Sequence, residues 1–151
     1  MARIKTLEEL KGFAGREIAV TEWMEIAQER INQFADATGD HQWIHIDRER
    51  AERESPYHAT IAHGFLTLSL LSRFLQDAIH LADVPMTINY GLNRVRFPSA
   101  VRAGSQIRAR IVLQSIRDVT DATEAVFLVT IESNESEKPC CVAEWVTRYY
   151  R

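Results

Sequence analysis

In the second half of the chain, apolar and polar residues alternate with a period of two. Ile107, Ala109, Ile111 and Leu113 fall on one side, and Arg108 and Arg110 on the other. Ala125, Phe127, Val129 and Ile131 repeat the pattern, as do Cys141, Ala143, Trp145 and Thr147 against Val142, Glu144, Val146 and Arg148. Successive side chains of a strand point to opposite faces, so this alternation predicts long strands with one face buried. Together with a stretch near Met86 to Phe97, three or four antiparallel strands should form one sheet.

The first half has a different period. Thr6 and Glu9 form a capping-box pair for a short helix that stops near Gly12, and Ile18 to Val20 reads as a brief strand. Ile31, Phe34, Ala35 and Thr38 recur at helical spacing, which predicts an amphipathic helix over 27–38. Gly39 suits its C-terminal cap, because glycine takes a positive φ without a Cβ clash. Asp40 then opens a loop. Asp47 can cap a further helix running to about Glu54, with Pro56 beyond its end. Leu66, Leu70, Phe74 and Ile79, flanked by Leu71 and Leu75, give a broad apolar face and predict one long, largely buried helix over 63–79. A buried helix against a curved antiparallel sheet is an α+β arrangement.

Composition narrows this picture. The chain has 151 residues, 46% hydrophobic and 26% charged, which fits one domain with one core spanning residues 1–151. No repeat or Pro/Gly/Ser-rich linker offers a place for a second domain to begin. The net charge of −3 gives no general attraction to nucleic acid, which needs clustered Lys and Arg. The first ten residues lack the apolar run of a signal peptide, and the stretch from Gly64 to Leu71 is too short to cross a bilayer. Cys140 and Cys141 are adjacent, a poor geometry for a disulfide between them, and no Cys/His spacing suits a metal. Reduced thiols in a cytoplasmic protein are the expectation.

The candidate chemistry lies in two segments. The first, Gly39-Asp40-His41-Gln42-Trp43-Ile44-His45, puts a carboxylate and two imidazoles directly after a helix. His45 can accept or donate a proton near neutrality, while Asp40 can accept a proton from water or orient His45. Asp after Gly is also a common turn residue, and a lone His is often only packed. His41 reads as exposed. Asp40, His41, His45 and Asp47 raise the question of a metal, but no helix-borne ligand spacing supports one. The second segment is Ile61-Ala62-His63-Gly64-Phe65-Leu66. A glycine at a helix start lets a ligand approach a free backbone N–H, although it also simply permits packing. His63 reads as a packing residue there.

Together the two segments resemble the MaoC-like dehydratases, which include the (R)-specific enoyl-CoA hydratases. That family's pattern is Gly-Asp, any residue, Asn-Pro, an aliphatic residue, then His. Asp40, Ile44 and His45 match it, while Gln42 and Trp43 stand in place of Asn and Pro. The variant with Gln42-Trp43, followed by Ile61-Ala62-His63-Gly64, then Asn89-Tyr90-Gly91-Leu92-Asn93-Arg94 and Val101-Arg102-Ala103-Gly104, looks especially like the nodulation-protein NodN-like branch. The resemblance implies a single hot-dog fold, in which the sheet wraps around the 63–79 helix, and a homodimer with the thioester tunnel near the subunit interface. It also implies catalytic Asp40 and His45, an oxyanion contact from the Gly64 amide, and a supporting role for Ser72. The reaction so implied is reversible addition of water to a trans-2-enoyl thioester of CoA or acyl carrier protein. It takes no metal, flavin or nicotinamide, CoA entering only as part of the substrate. Arg94, Arg96 and Arg102 are candidates for the CoA phosphates, or are simply solvated. An acyl-CoA thioesterase and a noncatalytic thioester-binding module are the competing readings.

Overall fold

The structure is a computed structural model that describes residues 4–151. Met1 to Arg3, part of the segment read for a leader, lie outside the described residues. Four long strands form most of the sheet: β3 (Met86–Arg96), β4 (Gln106–Val119), β5 (Ala122–Ser133) and β6 (Ser136–Tyr150). Two short ones, β1 (Arg16–Val20) and β2 (Met24–Glu25), pair with β4. The path is β1-β4-β5-β6-β3, antiparallel throughout. The period-two reading holds in detail. Ile107, Ala109, Ile111 and Leu113 of β4, and Ala125, Phe127, Val129 and Ile131 of β5, are all buried. On β6 the inward set is Cys141, Ala143, Trp145, Thr147 and Tyr149. A register shift between Leu113 and Ser115 bends β4 and increases the local twist, which helps the sheet to curl.

The helices are α1 (Leu7–Lys11), α2 (Gln28–Thr38), α3 (Trp43–Ile46), α4 (Arg48–Glu54), α5 (Gly64–Ser69) and α6 (Leu71–Ala78). Thr6 caps α1 through the Glu9 N–H, and Asp47 caps α4 through the Arg50 N–H. Gly39 ends α2 at φ 77°, as its lack of a side chain permits. The long helix expected over 63–79 is instead two segments that meet at Leu70. Ser69 supplies the physical reason: its Oγ–H donates to the Leu66 carbonyl at 2.7 Å and competes with the backbone ladder there. Ile79 has left the helix and is extended, bridging to Ile4. Phe74, Leu71, Leu75 and Leu66 are buried as the apolar face requires, with α5 against β6 and α6 against β4 and β1. Among the described residues no helix is long and apolar enough to cross a membrane.

The edge strand β3 does not alternate. Only one of its edges is paired, to β6, with two register shifts. Met86, Ile88, Tyr90 and Leu92 are all exposed, as are Phe97 just beyond the strand and Phe65 on α5.

Candidate active site

Backbone and side-chain hydrogen bonds bring the two motif segments together. After Gly39 the chain turns back, and the Asp40 carboxylate accepts the Gln42 N–H at 3.3 Å, a local turn that starts α3. Trp43 is the first residue of α3, the position where proline is also well tolerated, so the one-turn helix survives this departure from the family pattern. The Ile61 N–H donates to the Ile44 carbonyl at 3.0 Å, which stitches the second segment to α3. On its other side Ala62 donates to Val101, Thr60 accepts from Ala103, and Ile61 bridges to Arg102. Gln28 of α2 locks the junction: its amide donates to the His45 carbonyl at 2.7 Å and accepts from the buried Thr60 hydroxyl.

These constraints bring Asp40, His45 and His63 together, their reactive atoms all within 4.8 Å of one another. His45 is 6% exposed and His63 3%, while Asp40 faces solvent. His45 Nδ1–H donates to the Ile61 carbonyl at 2.7 Å, which leaves Nε2 as the free acceptor of the neutral ring. His63 Nε2–H donates to the Asp40 main-chain carbonyl at 3.0 Å, and its buried Nδ1 has no partner among the described residues. The two rings stack at 3.8 Å and 23°, and Phe34 of α2 packs on His63 at 4.8 Å. Burial holds the His45 imidazole below its ordinary value of 6.5. The Ile61 hydrogen bond opposes that shift, nearby His63 adds to it, and Asp40 opposes it. His45 is therefore neutral at neutral pH and ready to accept a proton at Nε2.

The three ligand atoms are close enough to hold a metal ion, but the stacked rings make His45 and His63 a poor pair of joint ligands. In nearly parallel stacked rings the in-plane lone pairs run side by side, whereas tetrahedral ligation needs them to converge. His41 stands apart, exposed and paired with Asp36 at 2.9 Å, and that hydrogen bond raises its pKa. Asp47 is occupied as the cap of α4.

Gly64 follows His63 directly and begins α5. The first hydrogen bonds of that turn come from the Leu66 and Thr67 N–H groups to the His63 carbonyl, so the Gly64 N–H lies ahead of the ladder. A Cβ on Gly64 would sit 3.4 Å from the Phe97 ring. Gly64 and Phe97 line a cavity of about 210 Å³ together with Tyr57, Ile61 and Val101. Ser72 lies outside the lining of that cavity. It is exposed on α6, where it lines two adjoining cavities of about 360 and 220 Å³ between the helices and β3–β6, with Asn89 and Trp145 common to both. Cys140 and Cys141 are buried and unlinked, burial pushing their thiols up to about 12 and about 11.

A curled antiparallel sheet around buried helices is the hot-dog fold, and here a carboxylate and a neutral imidazole lie at the entrance of α5. The MaoC like domain family matches residues 10–135, and the chain belongs to that family. It is 45% identical to 3-hydroxyacyl-thioester dehydratase Z of Mycobacterium tuberculosis, over 99% of each chain. It is 42% identical to Nodulation protein N of Rhizobium leguminosarum bv. viciae, covering 94% of this chain and 89% of that one. The (R)-hydratase of A. caviae has the same fold, with a TM-score of 0.73, 21% identity, and 89% of this chain and 94% of the other covered. The protein is thus an enzyme of the hydratase/dehydratase type.

Proposed function

We propose that the protein adds water reversibly across the double bond of a trans-2-enoyl thioester, giving the (R)-3-hydroxyacyl thioester. The observation that carries this reading is the free Nε2 of a buried, neutral His45 beside the Asp40 carboxylate, at the entrance of a helix with uncommitted N–H groups. In the forward direction the water oxygen bonds to C3 and one water proton passes to the Asp40–His45 pair. C2 then receives a proton from the same pair, so that H and OH are added overall. Negative charge develops on the thioester oxygen as the enolate forms, and the Gly64 N–H is the donor placed to stabilise it. Dehydration is the same path reversed. The overall reaction transfers no electrons to an external acceptor, so it needs neither nicotinamide nor flavin.

CoA is the proposed carrier, with acyl carrier protein as the other possible thioester donor. Arg94, Arg96 and Arg102 are all exposed, and Arg94 and Arg96 lead into the Phe97 that faces Gly64, a placement suited to CoA phosphates. The name of the mycobacterial relative points to an acyl-thioester substrate. Two unlinked thiols fit a reducing compartment, and the cytoplasm is the proposed location. The test is incubation with trans-2-enoyl-CoA esters of graded length. Hydration removes the conjugated enoyl absorbance and releases no thiol. Free thiol would mark a thioesterase, and binding without turnover a noncatalytic module.

The pH profile follows from His45. Its pKa is depressed in the folded state, so neutral His45 and the stability linked to it are fully present above about 6.5. Both are lost as the pH falls through the lower folded value. The expected kcat/KM is flat on the acid side down to below 6.5 and then declines. An acid limb centred at or above 6.5 would contradict the assignment.

Two copies are proposed to pair along β3. An exposed, unpaired edge rich in apolar side chains is unstable in isolation, and here it runs beside Phe65, which is 73% exposed. Light scattering at micromolar concentration should give twice the chain mass. A monomer alone would contradict the pairing.

A further inference from the structure

We infer that His63 is a positioning residue of this site, holding Asp40 and His45 in one geometry without itself touching the substrate. The inference rests on the hydratase reading for its effect on turnover, but its geometric content stands apart from that reading. His63 contacts both members of the pair. Its Nε2–H fixes the main-chain carbonyl of Asp40 at 3.0 Å, and its ring lies flat against His45 at 3.8 Å. Phe34 covers it, and it is 3% exposed. Among the described residues Nδ1 has no partner, and the Asp40 carbonyl is the hydrogen-bonding group that sets the rotation of this ring.

Each catalytic group therefore has a second anchor. Asp40 is exposed and follows a left-handed glycine, and the His63 donor ties its main chain to the α5 entrance. His45 is already held at Nδ1 by Ile61, which fixes one end of the ring. Stacking on His63 fixes its plane and so aims Nε2. Misplacing a proton-transfer group by about 1 Å is enough to cost orders of magnitude in rate. The titratable groups facing His45 are His63 from the α5 entrance and Asp40 from the loop after α2. Removing the second imidazole also removes an influence that holds His45 down.

The experiment compares the wild-type protein with His63→Phe and His63→Gln. Phe keeps a ring to stack on His45 but loses the donor to Asp40. Gln keeps a donor but loses the ring. Two measurements are made: the NMR titration of the His45 imidazole, and steady-state kinetics giving kcat and KM with an enoyl-CoA. In His63→Phe the His45 titration should move to higher pH, toward the ordinary imidazole value. Both variants should lose about tenfold or more in kcat with KM within about twofold. A His45 titration superimposed on that of the wild type, or kcat within about twofold in both variants, overturns the inference. If one variant does not fold, the other still decides the matter. Absence of hydration by the wild-type enzyme would instead defeat the functional reading, and the NMR titration would still judge the role of His63.

Discussion

His45→Gln and Asp40→Asn should each lower hydration by at least about tenfold, the low end of the range for general acid–base groups. The structure makes these substitutions clean probes. Asp40 is exposed, and its one side-chain hydrogen bond, from the Gln42 N–H, can be accepted equally by an asparagine oxygen. Little stability is at stake there, whereas the ability to take a proton from water is lost. At His45 the fold depends on Nδ1–H and the Ile61 carbonyl, a bond with a net worth of about 0.5–1.5 kcal/mol. His45→Asn retains an N–H close to that point and serves as the folding control, since it also lacks a basic Nε2. Steady-state turnover and thermal unfolding on the same preparations check both statements. Near-normal turnover in a well-folded variant would remove that residue from the mechanism.

Gly64→Val should have the second large effect, a loss of roughly tenfold or more in turnover if the amide supplies the oxyanion contact. A Cβ alone meets Phe97 at 3.4 Å, an ordinary contact, so Gly64→Ala should fold and retain part of the activity. The two γ-methyl groups of valine extend beyond that point, crowding either Phe97 or the approach to the N–H. Phe97 is exposed and free to yield, so the fold should survive while the substrate path narrows. Turnover of the two variants, with unfolding midpoints beside it, separates obstruction from misfolding. Wild-type turnover in Gly64→Val would exclude a close approach of the thioester to this amide.

The sheet was legible in the sequence wherever one face is buried and the other wet, as on β4 and β5, because the pleat imposes period two there. It was less legible on β3, where both faces of an isolated edge strand are exposed and no alternation is enforced. The break at Leu70 could not be read from the apolar face, which continues in phase across it. Its cause is a local bond from Ser69 to the Leu66 carbonyl. The one-turn α3 was missed because four residues are too few to display a helical period, although it is the element that carries His45.

At the site, residue type and motif order picked out Asp40, His45 and Gly64. They did not single out Gln28, whose contacts to His45 and Thr60 span the two motif segments, or the stacking of His63 on His45. Such contacts arise from tertiary folding and leave no spacing signal. A His directly before the helix-start glycine was the one visible trace. Ser72, to which the resemblance gives a supporting role, lines the two cavities shared with Asn89 and Trp145.

The most direct test of the central claim is the reaction with a trans-2-enoyl-CoA in oxygen-18 water, with the product read by mass spectrometry. Addition of water at C3 places the label on the hydroxyl of an intact 3-hydroxyacyl-CoA, and this is the result the Asp40–His45 site predicts. Label in a free carboxylate, with CoA released, or unchanged enoyl-CoA across the full range of chain lengths, would contradict it.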